Sequence, residues 1–393
     1  MHTLVSFLGR SLYHKTRYLL PDGSSEEAAY VGYGLRRALQ VDRMVILGTA
    51  GSMWDHLFER DVDLQSRGED LRLELAAAVE EEKVTQQQLD QLAPLLEEQL
   101  DCTVGLRIIP EALEPRQQVE LLQALAEASD GAQRLSLDVT HGFRHLPMLT
   151  LMAALYLRST RPELRIEGIW YGAFRPGSKM TEVIDLGGIL EIADWLDALR
   201  RHDWLGDYGA VADLIDDEET GELLRQAAFN ESIHQGQQAR KRLQRCRERL
   251  RERPLSGPGA LFQPLLEERI AWVDRQQLYQ RQREQALSAL QRGDFLRASL
   301  YGFEAFITRL VRSTAPGADP DKWSVREKAK EDYEKHKPRE SYRWYELLRN
   351  TRNVLAHGTR PQEKEIQRAL ASPQQLRALL EECFGKLLPE DDA

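Results

Sequence analysis

The stretch Arg134–Leu157, RLSLDVTHGFRHLPMLTLMAALYL, decides the fold. Its first part is a short run of branched apolar residues, which reads as a buried strand. Its last part is too long for a strand and reads as a helix. Between them lies DVTHGFRH (Asp138–His145), where a tight polar turn hands the strand over to the helix. Five more runs have the same strand character: TLVSFLG (Thr3–Gly9), RMVILGT (Arg43–Thr49), TVGLRII (Thr103–Ile109), IEGIWYGAF (Ile166–Phe174) and TEVIDLG (Thr181–Gly187). Helical patterns fall between most of them: Ser24–Gln40 with Ser24 and Ser25 as N-cap candidates, a long one near 68–100, and Glu114–Ser129. Strands alternating with helices, and apolar almost throughout, predict a parallel α/β sheet covered on both faces. The last two strand runs are separated by RPGSKM alone, which predicts a hairpin and an antiparallel edge.

From about residue 190 the strand runs almost disappear. Ile189–Trp204, Gln237–Arg253 and Leu266–Ser313 read as helix, with Arg253–Pro264, RPLSGPGALFQP, as a linker or inter-helix loop. The expected organisation is therefore an α/β domain at 1–190, a helical connector at 191–270 and a helical domain at 271–393. Trp195, Leu196 and Trp204 stand at helical spacing in the connector, as a dimer surface or as monomer core.

The bulk properties narrow the function. The chain has 393 residues, 42% hydrophobic and 30% charged, and a net charge of −10. That acidic balance disfavours a protein that coats nucleic acid by charge alone. Gln237–Arg253 holds eight basic and two acidic residues, read as a solvated helix face or a local basic site. No apolar run is long enough for a membrane span, and the N-terminus reads as a first strand rather than a signal peptide. Three scattered cysteines, Cys102, Cys246 and Cys383, fit neither a disulfide framework nor a zinc cluster, and point to a reducing cytoplasm.

In a doubly wound sheet, ligands bind at the carboxyl ends of strands. Three such ends here are small and polar: FLGRSLYHKT, LGTAGSMW and DVTHGFRH. Gly9, Gly51 and Gly142 permit close backbone approach. Arg10, Thr49, Ser52, Thr140 and Arg144 offer donors, and helix N-termini after the turns offer N–H groups to anions. The loops fit neither the dinucleotide fingerprint nor the Walker A pattern. Asp138, His141 and His145 admit a metal site, but the intervening residues lack the glutamate of H-E-x-x-H and Gly142 suggests a loop. The other readings are a turn-and-cap scaffold and contact with a phosphate-bearing ligand.

A second constellation lies in LLRNTRNVLAHG (Leu347–Gly358), a helix with Gly358 as its stop. Asn353 and His357 are four apart and share a face, and Arg352 adjoins Asn353. Histidine transfers protons near neutral pH and arginine matches phosphate oxygens, which suits metal-free RNA cleavage by the 2′-hydroxyl. One such helix offers too few groups for acid, base and clamp, and a two-fold dimer would double them.

Together, D-x-T-H-G after the fourth strand run and R-N-x-x-x-H in a C-terminal helical region resemble the CARF–HEPN ribonucleases of type III CRISPR systems, in the subgroup with the DxTHG motif. The resemblance spans essentially the whole chain, though Arg10-Ser11-Leu12 stands where relatives often have a Gly-rich turn. It implies a Rossmann-like CARF domain, a helical connector and a HEPN domain. It further implies a homodimer or higher homo-oligomer in the cytoplasm that cleaves single-stranded RNA to 2′,3′-cyclic phosphate ends, without a metal or cofactor. The implied allosteric activator is a cyclic oligoadenylate, most often cyclic tetra-adenylate and alternatively hexa-adenylate. Its implied contacts are Gly9, Arg10, Thr49, Gly51, Ser52, Thr140, His141, Gly142 and Arg144, and the implied catalytic residues are Arg352, Asn353 and His357. The competing reading is a nucleotide-sensing regulator that binds nucleic acid without cutting it. Cleavage of the activator by the α/β domain itself stays open.

Overall fold

Strand β1 (His2–Leu8) is buried at all seven positions, as a strand covered on both faces must be. The computed structural model describes residues 1–175, 177–337 and 341–390. The other strands among these residues are β2 (Thr16–Leu19), β3 (Ser25–Ala28), β4 (Arg43–Gly48), β5 (Thr103–Ile108), β6 (Arg134–Asp138), β7 (Arg165–Ala173) and β8 (Thr181–Asp185). They form one sheet in the order β3-β2-β8-β7-β6-β1-β4-β5. The ladders joining β5, β4, β1, β6 and β7 are parallel, β7 pairs with β8 antiparallel, and β2 pairs with β3 antiparallel. The antiparallel step between β7 and β8 is the hairpin expected around RPGSKM.

Alternation along the strands divides the core in two. Leu4, Leu8, Met44 and Ile46 face one apolar cluster, and Val5, Phe7, Val45, Leu47, Leu135 and Leu137 face the other. Helices α1 (Val31–Ala38), α2 (His56–Glu59), α3 (Glu69–Glu80), α4 (Gln86–Leu100), α5 (Pro115–Ala128) and α6 (Leu146–Thr160) complete this part of the chain.

Two expectations need correction. Ser24–Gln40 is not one helix. Ser25–Ala28 pairs with β2 through a turn at Pro21–Ser24, where Gly23 has φ +82°, and the helix begins only at Val31 with no side-chain cap at Tyr30. Asp61 performs that work from a distance, accepting the N–H groups of Ala29 and Tyr30 at 2.9 and 2.8 Å. The long helix near 68–100 is broken, because Thr85 and Gln88 form a capping box that starts α4 afresh.

The chain divides into two compact units, Met1–Glu191 and Ile192–Ala393. The boundary falls within α7 (Gly188–Leu205). The second unit is helical: α8 (Gly209–Ala212), α9 (Glu218–Ser232), α10 (Gly236–Glu252), α11 (Gly259–Arg269), α12 (Leu278–Arg292), α13 (Phe295–Thr314), α14 (Trp323–His336), α15 (Tyr342–His357), α16 (Lys364–Ala369) and α17 (Pro373–Leu387). It holds two apolar clusters, one within Trp195–Val273 and one within Ala286–Leu388. Trp195 is core, stacked on Phe262 at 5.7 Å, whereas Leu196 and Trp204 are exposed. The predicted loop at Arg253–Pro264 is shorter in fact, since α11 starts at Gly259 and carries Pro264 inside it. No helix among the described residues is long and apolar enough to cross a membrane.

Candidate functional site

The strand order reverses around β1, which has β6 on one side and β4 on the other. Chain leaving β1 and chain leaving β6 therefore separate or meet at the carboxyl end, depending on what their loops contain. Here they meet. A Cβ on Gly9 would stand 2.9 Å from the Gly142 nitrogen, so two glycines let the backbones touch. Gly142 also has φ +101°, which an L side chain rarely adopts. The β4 loop joins the same cluster, as Met53 N–H donates to the Gly9 carbonyl at 2.9 Å and Ser52 Oγ donates to the Leu8 carbonyl at 2.9 Å. The structure thus brings Gly9, Arg10, Thr49, Gly51, Ser52, Thr140, His141 and Gly142 to one end of the sheet.

Their roles differ. Thr49 and Ser52 are buried and turned on each other, with Thr49 N–H donating to Ser52 Oγ at 2.8 Å. Arg10 lies across Gly51, where a Cβ would come 2.5 Å from its Nη2. Its guanidinium is engaged by two carboxylates, Glu82 and Glu111, the latter at 3.0 Å. Gly51 thus makes room for Arg10, and Arg10 is committed to acids rather than open to an anion. The expected helix N-termini are also fewer. The β1 loop leads into β2, the β4 loop into the single-turn α2, and only the β6 loop leads into a long helix, α6.

Asp138 is fully buried on the same face as Ser6 and Tyr30. It accepts Ser6 Oγ–H at 2.5 Å and Thr140 N–H at 2.9 Å, and Ser6 Oγ is 2.7 Å from the Tyr30 hydroxyl. Burial pushes its carboxyl above the ordinary range. Thr140 Oγ1 accepts Gly172 N–H at 2.8 Å, tying the loop to β7. His141 sits between two tyrosines, stacked on Tyr30 at 5.2 Å and edge-on to Tyr13 at 4.5 Å. Burial drops its pKa to about 4, so the ring is neutral at pH 7. Its Nε2 accepts a long 3.5 Å bond from Val31 N–H, which leaves the ring proton on Nδ1 as a donor.

His145 turns elsewhere: its Nε2 meets the Glu111 carbonyl at 2.9 Å and its ring stacks on Phe143. The two histidines and Asp138 therefore do not converge, and no group of three metal-ligating side chains occurs among the described residues. Arg144 is exposed, and among the described residues it has no hydrogen-bond or ion-pair partner. Ser6 and Asp138, the hydroxyl and carboxylate paired here, are both fully buried, and among the described residues of this end no exposed nucleophile is paired with a base. What it has is neutral and cationic donors around touching glycines, suited to holding an anionic ligand.

Sequence reasoning missed Tyr13, Tyr30, Glu82 and Glu111. Tyr13 was visible four residues after Gly9, whose N–H its hydroxyl accepts. Nothing local marked the other three.

In the second unit, α15 ends at His357, with Gly358 at φ +63° as the expected stop. Its sequence holds two Arg-Asn pairs, and the structure separates them. Arg349 donates to Glu334 at 2.8 Å and Asn350 is bonded to Glu363. Arg352 instead rests over the Phe303 ring at 4.5 Å, with its Nε buried and bonded to no acceptor. Asn353 is partly buried and His357 is exposed. Among the described residues no carboxylate pairs with Arg352, which lies five residues before the histidine that ends the helix.

Half of the eight basic residues in Gln237–Arg253 are paired with acids of the same unit, Arg253 with Asp217 among them. Arg249 pairs with Asp217 at 2.6 Å, Arg245 with Glu219 at 2.5 Å, and Arg247 with Asp274.

Two comparisons bear on identity. CRISPR-associated protein MJ1674 of Methanocaldococcus jannaschii is 23% identical over 211 residues, which are 49% of this chain and 33% of that protein. The match thus spans about a third of the relative's length. Residues 3–174 match the family model described as CRISPR system endoribonuclease Csx1, CARF domain, and they run from β1 to the end of β7, taking in the loops that follow β1, β4 and β6 but not β8. Most of the N-terminal unit, residues 3–174, is thus similar to the CARF domain of the Csx1 family.

Proposed function

We propose that the chain is a CRISPR-associated endoribonuclease of type III defence, activated by a cyclic oligoadenylate and cleaving single-stranded RNA without a metal. The observation that carries the nuclease reading is the split between the two Arg-Asn pairs of α15. Arg349 and Asn350 are consumed by Glu334 and Glu363, while among the described residues no carboxylate pairs with Arg352, which adjoins Asn353 on the helix that ends at His357. In this reading Arg352 holds the scissile phosphate through its planar donors. His357 moves the proton of the attacking 2′-hydroxyl or of the leaving 5′-oxygen. One α15 cannot serve both ends of the reaction, so a second copy related by a two-fold axis supplies the other set.

The activator sits at the carboxyl end of the sheet. The neutral His141 donates from Nδ1, Arg144 supplies charge, and Gly9 and Gly142 admit close approach. The ring is cyclic tetra-adenylate by family habit. The activator drives cleavage only to the extent that it binds the competent arrangement more tightly than the resting one. The internal neutralisation of α10 disfavours the alternative of a regulator that binds nucleic acid through that helix.

The test is cleavage of a labelled single-stranded RNA with cyclic tetra- and hexa-adenylate, in a chelating buffer, by wild type and His357→Ala. Expected are activator-dependent cleavage with cyclic-phosphate ends, and its loss by at least about 100-fold in the variant with activator binding retained. Full activity in His357→Ala would overturn the assignment.

A further inference from the structure

The helical unit encloses a cavity of about 860 Å³ that the nuclease reading does not use. That volume lies within the range of small-molecule sites. Most charges on its wall are already answered. Arg269 grips Asp203 through two bonds of 2.7 and 2.6 Å, Arg275 pairs with Glu284 at 2.9 Å, and Asp274 pairs with Arg247. Glu268 on the same wall is exposed.

Three residues of α12 on this wall are different. Gln285, Ser288 and Arg292 are spaced three and four apart and so share one helix face. Arg292 Nη1 donates to Ser288 Oγ at 2.6 Å, and its Nε is buried with no protein acceptor. Among the described residues no carboxylate pairs with it. Gln285 is 8% exposed, and its Nε2 is likewise buried with no acceptor. A buried donor without an acceptor costs about 1–3 kcal/mol, so two on one face form an expensive arrangement that an oxyanion would repair. A second cation, Arg297, is held by the Leu205 carbonyl at 3.2 Å and by Asp294 at 3.5 Å among the described residues. Glu231, the remaining acid on the wall, is pushed up to about 8 by burial. At neutral pH it offers a proton and does not oppose an anion.

We propose that this cavity is a binding site for a phosphate monoester of up to mononucleotide size. Arg292 is its charged anchor, Gln285 and Ser288 are neutral donors, and Arg297 is a second cation. Its lining residues all belong to the helical unit, and none of them is in α15.

The experiment is calorimetric titration of the full chain with inorganic phosphate and, separately, adenosine 5′-monophosphate at pH 7. Wild type, Arg292→Gln and Ser288→Ala are compared, with Arg144→Ala to remove any contribution from the CARF loops. Expected is saturable binding that Arg292→Gln weakens more than tenfold and Arg144→Ala leaves in place. Ser288→Ala, a milder change, weakens it less and keeps the test informative if Arg292→Gln does not fold. Binding of the nucleotide alone shows that the base and ribose are read as well; binding of both probes shows a phosphate site. No binding of either probe at millimolar concentration would overturn the proposal, as would equal affinity in Arg292→Gln or loss of binding in Arg144→Ala.

Discussion

Asp138 is the residue whose removal the structure makes most informative. It is fully buried and serves as acceptor for both Ser6 Oγ and Thr140 N–H. Asp138→Ala leaves Thr140 N–H without its acceptor and strips one partner from Ser6, which keeps the Tyr30 hydroxyl at 2.7 Å. One orphaned donor costs about 1–3 kcal/mol, and the space vacated by a carboxyl adds about 1 kcal/mol. Against that stands relief from burying an acid whose pKa is raised. The expected net loss is about 3 kcal/mol. Asp138→Asn has the same shape. Its carbonyl oxygen accepts Thr140 N–H, and its amide donates to Ser6 Oγ, which then donates to Tyr30. The chain of bonds reverses direction but none is lost, so the expected loss is about 1 kcal/mol. Hydrogen exchange of the β1 and β6 amides reports the stability of this unit separately from the helical one. A loss under 1 kcal/mol for the alanine variant would refute the reasoning. So would an asparagine variant as unstable as the alanine one, since the charge and not the bond pattern would then matter.

Two other perturbations follow from the same geometry. Gly9→Ala drives a Cβ into the backbone of Gly142, whereas Gly51→Ala meets only the end of the Arg10 side chain. Chemical denaturation should therefore show a loss of several kcal/mol for the first and about 1 kcal/mol for the second, the worth of half-exposed ion pairs; the reverse order would contradict the structure. Glu231 titrates near 8 in the folded chain against an ordinary value near 4.5. The folded state therefore holds the extra proton between these values, and the contribution of Glu231 to stability is complete below about 4.5 and lost as pH rises through about 8. His202, held near 4 by burial, stays neutral above pH 6.5 and does not mask the effect. Thermal melts from pH 6 to 9 should show a decline that Glu231→Gln flattens, and an unchanged slope in that variant would rule the assignment out.

How much was legible in the sequence depended on whether the signal was local. The buried strands β1, β4 and β6 announce themselves because two-face burial demands apolar residues at nearly every position. The βα turn at Asp138–His145 is visible for the same reason, as a polar stretch between two apolar ones. The β2–β3 hairpin was hidden because Ser25-Glu26-Glu27-Ala28 is also what the first turn of a helix looks like. Only Asp22-Gly23 marked it as a turn. Arg10 was read as free to meet an anion because Glu82 and Glu111 reach it from other parts of the fold. Arg349 and Arg352 are equivalent as letters, and only Glu334 and Phe303 tell them apart.

The D-x-T-H-G stretch carries a lesson about what such a run of residues is for. Read as letters, Thr140, His141 and Gly142 in it are ligand contacts. In the fold most of them point inward or sideways. Asp138 is spent on Ser6 and on the backbone of Thr140. The Thr140 hydroxyl is spent on Gly172 of β7. His141 wedges between Tyr13 and Tyr30, and the wedge keeps it neutral. Gly142 is required twice, by its positive φ and by the approach of Gly9. A loop fixed at four of five successive positions cannot adapt to its ligand by moving one side chain. It presents a rigid backbone edge, one imidazole N–H and the outward Arg144, and such preorganisation reduces the ordering cost of binding. Substitutions at Asp138 or Gly142 should therefore damage binding through the shape of the loop, and substitutions at Arg144 through charge. The two differ in salt dependence: the charge contribution of Arg144 fades as salt rises, and the shape contribution does not.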